Sequence, residues 1–162
     1  MGTPHQYAAT VLWTGDDGVG TRDYRSYRRD HVVRVEGKPE LAGSSDPAFR
    51  GDRSRHNPEE LLLAALSACH MLAYLHLAAV AGIVVRGYED RAEGTMVTNP
   101  QGDGRFTDVV LRPRVRIDAG DPERARALHR DAHEHCFIAS SVNFPVRCEP
   151  TIERATDAPA AR

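Results

Sequence analysis

The sequence predicts an α+β fold, in which short strands are interrupted by two helices. The first indication is an uncharged, apolar stretch from Leu61 to Val80, which has the length and composition of a buried central helix. The second is Asp121-Pro122, a capping residue and a proline that together open a shorter helix ending near His135. The third is a set of alternating apolar and polar segments that are typical of half-buried strands. With 162 residues, a single domain over 1–162 is expected.

The predicted strands flank the two helices, and residues that favour turns separate them. An Asn-Pro-Gln-Gly-Asp-Gly run at 99–104 indicates a hairpin, and the segment 41–56 has the composition of a loop. A short turn is expected at 137–142, and the tail 155–162 is expected to be disordered. Strands are predicted at 6–13, 24–36, 84–98, 106–118 and 144–153.

The long helix has clear start and stop signals. Asn57 is a good N-cap, Pro58 is tolerated in the first turn, and the acids Glu59 and Glu60 suit the positive end of the helix dipole. Gly82 is a natural C-terminal glycine. The length would also allow a membrane span. Two histidines lie inside the stretch, however, and no basic flank or aromatic belt marks its ends, so a buried helix is favoured.

Composition excludes several classes of function. The formal net charge is −2, from 21 basic and 23 acidic residues, so no strong positive field indicates a nucleic-acid partner. The N-terminus has neither the basic nor the apolar region of a signal peptide. A cytoplasmic protein without a membrane segment is therefore expected, with its thiols kept reduced unless they are catalytic or redox-sensing.

Three cysteines form an odd set, which argues against a framework of structural disulfides. Cys69 lies in the middle of the apolar helix, where it is either inert packing or a nucleophile kept away from water. Cys136 follows a polar run at the end of the second helix and is expected to be accessible from one side. Cys148 is in phase with the core face of a strand and is interpreted as structural. Reaction at Cys69 would require a cation from outside its helix; the candidates are Arg50, Arg53, Arg55 and Arg22.

The histidines are candidate metal ligands and candidate bases. His133, His135 and Cys136 are close in sequence, but residues two apart at a helix end diverge by about 200°. The chain has no HExxH motif and no CxxC pair. No metal ion and no cofactor are therefore expected. His76 lies two turns beyond Cys69 on nearly the same face, which leaves a cysteine hydrolase open, although the pair would be about 10 Å apart.

Several residues also follow the pattern of a known family. The matching elements are a helix-opening motif, a cysteine ten residues after its first glutamate, and a distant second cysteine: Asn57-Pro58-Glu59-Glu60-Leu61-Leu62, Ala64-Ala65, Cys69, and Cys136 with Ser140. In these elements the chain resembles the OsmC/Ohr family of organic hydroperoxide reductases over roughly residues 13–152. The resemblance implies an OsmC-like α+β fold, with antiparallel sheets wrapped around two long central helices in an intertwined homodimer. It also implies active sites at the subunit boundary.

The resemblance implies a role for each matched residue. Cys69 would be the peroxidatic thiol, Cys136 the resolving thiol and Glu59 the acid that orients an arginine. Arg50 matches the arginine of the OsmC branch, whereas Arg22 would suit the Ohr branch. Ten residues of straight helix span about 15 Å, so Glu59 cannot touch the sulfur of its own Cys69. The glutamate would act through a long arginine or come from the partner chain.

The implied reaction is the reduction of an organic hydroperoxide to an alcohol through a sulfenic acid at Cys69 and a Cys69–Cys136 disulfide. The family further implies an external dithiol of lipoyl type as the reductant. His70 stands where an aromatic residue is common, and Phe137 replaces the usual proline after the second cysteine, which indicates a divergent branch. Two alternatives stay open: a non-catalytic dimer of the same fold that binds an apolar ligand, and a hydrolase with Cys69 as nucleophile.

Overall fold

The structure is a computed structural model that describes residues 2–155. The chain forms two compact units, Met1–Leu62 and Leu63–Arg162. The predicted tail lies outside the described residues except for Ala155, and the expectation of one domain over 1–162 stays a prediction. The helices are α1 (Pro58–Val80) and α2 (Pro122–Glu134); the strands are β1 (Thr10–Trp13), β2 (His31–Arg34), β3 (Leu41–Gly43), β4 (Val84–Asp90), β5 (Glu93–Thr98), β6 (Gly104–Leu111), β7 (Pro113–Ala119), β8 (Val146–Cys148) and β9 (Thr151–Arg154).

The first unit carries an antiparallel sheet in the order β1-β2-β3. The prediction of one strand over 24–36 was wrong for its first half, because only His31–Arg34 pairs in the sheet. The Arg29 guanidinium lies 4.3 Å from the ring centre of Tyr24 and 4.1 Å from that of Tyr27. It also donates hydrogen bonds to the carbonyl oxygens of both tyrosines. These contacts hold the segment in a turn, which alternation of residue types does not reveal.

The segment 41–56 was predicted as a loop but contains regular structure. Its first residues form β3, which pairs with β2, and Pro47–Phe49 forms a 3₁₀ turn. Asp46 caps that turn by accepting a hydrogen bond from the Ala48 N–H at 2.7 Å. Arg50 ends it with a φ of 68°, the left-handed conformation that few residues other than glycine adopt.

The helix α1 begins and ends where the sequence predicts. The Asn57 side chain accepts a hydrogen bond from the Glu60 N–H at 2.8 Å, and the Glu60 carboxylate accepts one from the Asn57 N–H at 3.2 Å. This reciprocal capping box satisfies two N–H groups that the helix itself leaves free. At the other end, Gly82 has a φ of 69°, and the Ile83 N–H donates to the Ala78 carbonyl oxygen at 2.9 Å.

The second unit contains two mixed sheets, in the orders β4-β7-β9 and β5-β6-β8. Most of the pairing is antiparallel, but β8 runs parallel to β6 and β9 runs parallel to β7. The α+β prediction is confirmed, and the hairpin predicted at 99–104 joins the antiparallel strands β5 and β6.

Each of the last three predicted strands is in fact two strands that belong to different sheets. Asp90 shows how one of these breaks is held. Its carboxylate accepts hydrogen bonds from the Arg112 N–H at 2.6 Å and from the Ser67 hydroxyl at 2.6 Å. Arg112 is the residue between β6 and β7, and Asp90 ends β4. The Asp90 side chain therefore connects both of these strand interruptions to α1.

The core of the second unit lies where α1 and α2 pack on the sheet β4-β7-β9. Its buried apolar residues are Tyr74, Ala78, Ile83, Val115, Ile117, Ala125, Leu128 and Ala132. By length and composition, α1 also passes the test for a membrane-spanning helix, with a mean hydropathy of 1.8, although core helices of globular proteins pass it too. Only 22% of that apolar window is buried within the described chain, so much of the helix surface is open in a single copy.

Candidate active site

The helix α1 presents two different faces within the second unit. Leu66, His70, Tyr74 and Ala78 form the buried face. Cys69 belongs to the next face around the helix, because neighbouring residues are rotated by about 100°. Adjacent residues therefore enter different surroundings, and Cys69 is half-buried while His70 is 1% exposed.

Cys69 lies in the wall of an apolar cleft of about 310 Å³. Its α1 neighbours in the cleft follow at helical spacings of three, four, seven and eight residues. The end of α2 and the chain beyond it supply the rest of the wall. The lining residues are Cys69, Leu72, Ala73, His76, Leu77, His135 and Phe137. Leu72 is 63% and Phe137 81% exposed, so one side of the cleft is open in a single copy.

The structure brings the thiols of Cys69 and Cys136 together. Cys136 follows α2 directly and is 1% exposed, so the expectation that it would be accessible from one side was wrong. Burial raises the pKa of Cys136 to about 11, and the neighbouring Cys69 thiol raises it further through a hydrogen bond and through its charge. The Ala139 N–H donates to the Cys136 sulfur at 3.4 Å, which opposes part of that rise.

The other predicted residues lie in the first unit. Arg50 is exposed, and Glu59 is half-buried in the first turn of α1. Among residues 2–155, Arg50 makes no ion pair and the Glu59 Oε2 atom, although buried, has no hydrogen-bond partner. Of the alternative arginines, Arg55 lies 3.8 Å from a carboxylate oxygen of Asp30. The role predicted for Glu59, orienting an arginine, stays a prediction.

The third cysteine has surroundings that the sequence did not predict. The Cys148 sulfur lies 3.5 Å from His70 Nε2 and 3.8 Å from His129 Nδ1. Burial, followed by the charges of Asp90 and Glu149, raises the pKa of Cys148 to about 12. His129 was not singled out in the sequence, although it is a polar residue in the apolar stripe of α2 formed by Ala125, Leu128 and Ala132.

Comparison with known proteins shows which family the chain matches. The profile of the family described as OsmC-like protein matches residues 51–151. No curated protein matches the chain. An OsmC-like protein of unknown function from Vibrio cholerae is 33% identical, with a TM-score of 0.82; the match covers 91% of this chain and 100% of that one.

Two further solved structures with this fold are organic hydroperoxide resistance proteins. A candidate organic hydroperoxide resistance protein from Vibrio cholerae, with captopril bound in one of its active sites, is 27% identical, with a TM-score of 0.66 and 94% of each chain covered. An organic hydroperoxide resistance protein from Elizabethkingia anophelis, with bound thiocyanate, is 20% identical. Its TM-score is 0.66, and the match covers 95% of this chain and 99% of that one. At that identity the likeness shows the fold alone.

Proposed function

Because the chain belongs to the OsmC-like protein family, we propose that it is a thiol-dependent peroxidase that reduces organic hydroperoxides to alcohols. One observation carries the proposal: Cys69 lines an apolar cleft and has a second thiol, Cys136, as its neighbour. A peroxidase that works through a disulfide needs both features, since one sulfur must meet the substrate and another must reach the oxidised product.

The reaction balances with these two thiols and an external dithiol. The Cys69 thiolate attacks the distal peroxide oxygen, the O–O bond breaks, and the alkoxide takes up a proton to leave as the alcohol. Cys69 is then a sulfenic acid, and Cys136 attacks its sulfur to form a disulfide with loss of water. A dithiol of lipoyl type reduces that disulfide by thiol–disulfide exchange and leaves as its own cyclic disulfide.

The raised pKa of Cys136 favours reaction of Cys69 with the peroxide before Cys136 reacts. With its pKa near 11, Cys136 keeps its proton at neutral pH while Cys69 is reduced. When Cys69 becomes a neutral sulfenic acid, the charge of Cys69 no longer opposes ionisation of Cys136. Burial continues to oppose it, but the second sulfur ionises more readily once the first has reacted. Oxidation of Cys69 therefore makes Cys136, the proposed resolving thiol, more readily ionised than in the reduced protein.

The cleft favours bulky apolar peroxides. Its walls are largely Leu, Ala and Phe side chains, and each buried methylene of a substrate contributes about 0.8 kcal/mol of binding. Hydrogen peroxide has no apolar surface to bury and gains nothing from such walls. An alkyl or aryl hydroperoxide is therefore the proposed substrate class.

A second copy of this chain is the proposed cover for the open side of the cleft. Leu72, Val80 and Phe137 are large apolar residues that are 63%, 75% and 81% exposed. Such a patch is typical of an interface between protein chains. A homodimer would also allow Glu59 or the activating arginine of one chain to reach the cleft of the other. Light scattering after size exclusion should give twice the 17.9 kDa chain mass; a monomer would contradict this part of the proposal.

Arg50 is the proposed source of the positive charge that activates Cys69. A guanidinium stays charged at all working pH values and can hold a thiolate and a peroxide oxygen at once. Replacing Arg50 by Gln should lower kcat/KM for cumene hydroperoxide about 100-fold, the usual cost of losing an electrostatic donor. Arg53→Gln is the matched control from the same segment. If Arg53→Gln causes the loss and Arg50→Gln does not, the assignment moves to Arg53.

The test of the proposed chemistry is oxidation of the reduced protein by one equivalent of cumene hydroperoxide. Mass spectrometry of the digested product should show a Cys69–Cys136 link and a free Cys148. In the Cys136→Ser variant, dimedone should label Cys69 as a sulfenic acid after a single turnover. The variant Cys148→Ser is the matched control and should form the link normally. A link that includes Cys148 would overturn the role assignment.

A cysteine hydrolase is a second candidate, because His76 and His135 line the same cleft as Cys69. Acylation of Cys69 by an activated ester, without disulfide formation, would favour it. Within residues 2–155, however, neither histidine makes a hydrogen bond to Cys69. A protein that binds an apolar ligand at Cys69 but does not turn over any hydroperoxide would instead be a non-catalytic member of the family.

A further inference from the structure

The strongest unassigned feature is a group of three residues, two of them buried, beside the face of α1 that lies about 100° around the helix from Cys69. His70 comes from α1, His129 from α2 and Cys148 from β8. The two histidines are 1% and 2% exposed. One nitrogen of each ring and the sulfur lie within 4.8 Å of one another. Three residues that are 59 and 19 positions apart in sequence therefore direct ligand-type atoms at one small space.

Hydrogen bonding does not account for all three atoms. His70 Nε2 and His129 Nδ1 are 3.0 Å apart, so one donates its proton and the other accepts it. A ring nitrogen carries either one proton or one lone pair, and this bond uses both. The Cys148 thiol, at 3.5 and 3.8 Å from the same nitrogens, is then left with no free acceptor on either of them.

The separations are those of atoms that share a metal ion. In a tetrahedral site with metal–nitrogen bonds of about 2.0 Å and a metal–sulfur bond of about 2.3 Å, the nitrogens lie about 3.3 Å apart and the sulfur about 3.5 Å from each. The observed distances of 3.0, 3.5 and 3.8 Å are within a few tenths of an ångström of these values.

We propose that His70 Nε2, His129 Nδ1 and Cys148 Sγ bind one zinc ion, which ties α1, α2 and β8 together. Two imidazoles and a thiolate suit this borderline-soft ion. One proton, that of the Cys148 thiol, is released to solvent for each ion bound. The expectation of no metal rested on His133 and His135, which are close to Cys136 in sequence, whereas this site is assembled from residues far apart in the chain.

The surrounding charges fit a divalent ion. The Asp90 carboxylate is held by Ser67 and the Arg112 N–H, and its charge acts on both His70 and Cys148. A +2 ion, one thiolate and one carboxylate sum to zero, which removes most of the cost of burying charge. Each imidazole, in its neutral form, has one ring nitrogen with a lone pair to offer to a metal.

The test uses a chain in which Cys148 is the sole thiol, so that the cleft cysteines cannot capture metal. The full-length Cys69→Ser/Cys136→Ser variant, with any tag removed, is expressed in medium with added zinc or cobalt. Elemental analysis should give one metal per chain, and the cobalt form should show the intense near-ultraviolet band of a thiolate ligand. Adding Cys148→Ser should abolish the band and lower metal affinity at least about 100-fold.

Two further variants separate loss of a ligand from loss of the fold. His129→Gln should lose the metal, whereas His76→Gln, which changes a histidine on the cleft face of the same helix α1, should retain it. Circular dichroism checks that each variant is folded. Metal retained after Cys148→Ser, or no metal in a folded parent, would overturn the proposal. Neither result depends on peroxidase activity, so this inference and the proposed function are tested separately.

Discussion

A thiol lies beside each of two faces of α1, and the two thiols have contrasting surroundings. On one side, Cys69 lines an open apolar cleft with Cys136 behind it. On the other, Cys148 is enclosed by His70 and His129, and burial raises its pKa to about 12. Two thiols of one chain therefore have contrasting surroundings: Cys69 is open to an apolar cleft, whereas Cys148, on β8, lies against two buried histidines.

Removing one thiol from each side gives the largest expected contrast. Cys69→Ser should lower the steady-state rate of cumene hydroperoxide reduction at least about 1,000-fold, because the nucleophile itself is lost. Cys148→Ser should keep the rate within about threefold, since that sulfur lies outside the reaction path. Consumption of peroxide in the presence of dihydrolipoamide measures both.

The loss of stability should be larger for Cys148→Ser than for Cys69→Ser, the reverse of the expected loss of activity. Both thiols are half-buried, but Cys148→Ser also disturbs the two buried histidines beside it and should lower the melting temperature more. If Cys148→Ser abolishes turnover while remaining folded, the separation between the two sides of α1 is wrong.

A second contrast concerns the apolar wall of the cleft. Phe137→Ala removes an aromatic side chain that lines the cleft next to Cys136. Burying a phenylalanine against a ligand contributes about 1.5–3 kcal/mol, so kcat/KM for cumene hydroperoxide should fall about 10- to 150-fold. Hydrogen peroxide has no apolar surface to lose, and its kcat/KM should stay the same. An equal loss for both peroxides would mean that Phe137 positions the thiols and does not bind substrate.

The helix α1 could be predicted from local sequence. The points at which a predicted strand divides into two strands of different sheets could not. Caps and a terminal glycine act within a few residues, so α1 follows from Asn57 and Gly82. A strand that passes from one sheet to another keeps its alternation, so periodicity predicts one strand where there are two. The break after β4 depends on the contact between Asp90 and the backbone of Arg112, 22 residues away.

The surroundings of the two cysteines also differ in how far they could be predicted from the sequence. Spacing in the sequence places Cys69 mid-helix and Cys136 at a helix end, and a family pattern connects them. Nothing local connects Cys148 with His70, 78 residues earlier. The available signal was a histidine, His129, inside the apolar stripe of α2. A polar residue there needs a partner, but sequence alone does not say which one.

A smaller effect concerns the titration of Cys136. The neighbouring Cys69 raises the pKa of Cys136 in addition to the larger effect of burial. In a Cys148→Ser background, replacing Cys69 by Ala should therefore shift the rise of thiolate absorbance at Cys136 to lower pH. Burial remains, so the midpoint should stay above 9.0, the value for an unperturbed thiol. A midpoint that does not move would mean that the two sulfurs do not interact.

The smallest expected effect lies on the enclosed side, at Tyr74. Its ring stacks on His129 with centroids 4.0 Å apart, and its hydroxyl is buried without a hydrogen-bond partner among residues 2–155. Tyr74→Phe keeps the stacked ring and removes an unpaired polar group, whose burial costs about 1–3 kcal/mol. Urea unfolding of the metal-free protein should show a gain in stability of about 1 kcal/mol, the lower end of that range. A clear loss of stability would mean that the hydroxyl has a hydrogen-bond partner, such as a buried water, and that the surroundings of Tyr74 and His129 are not dry.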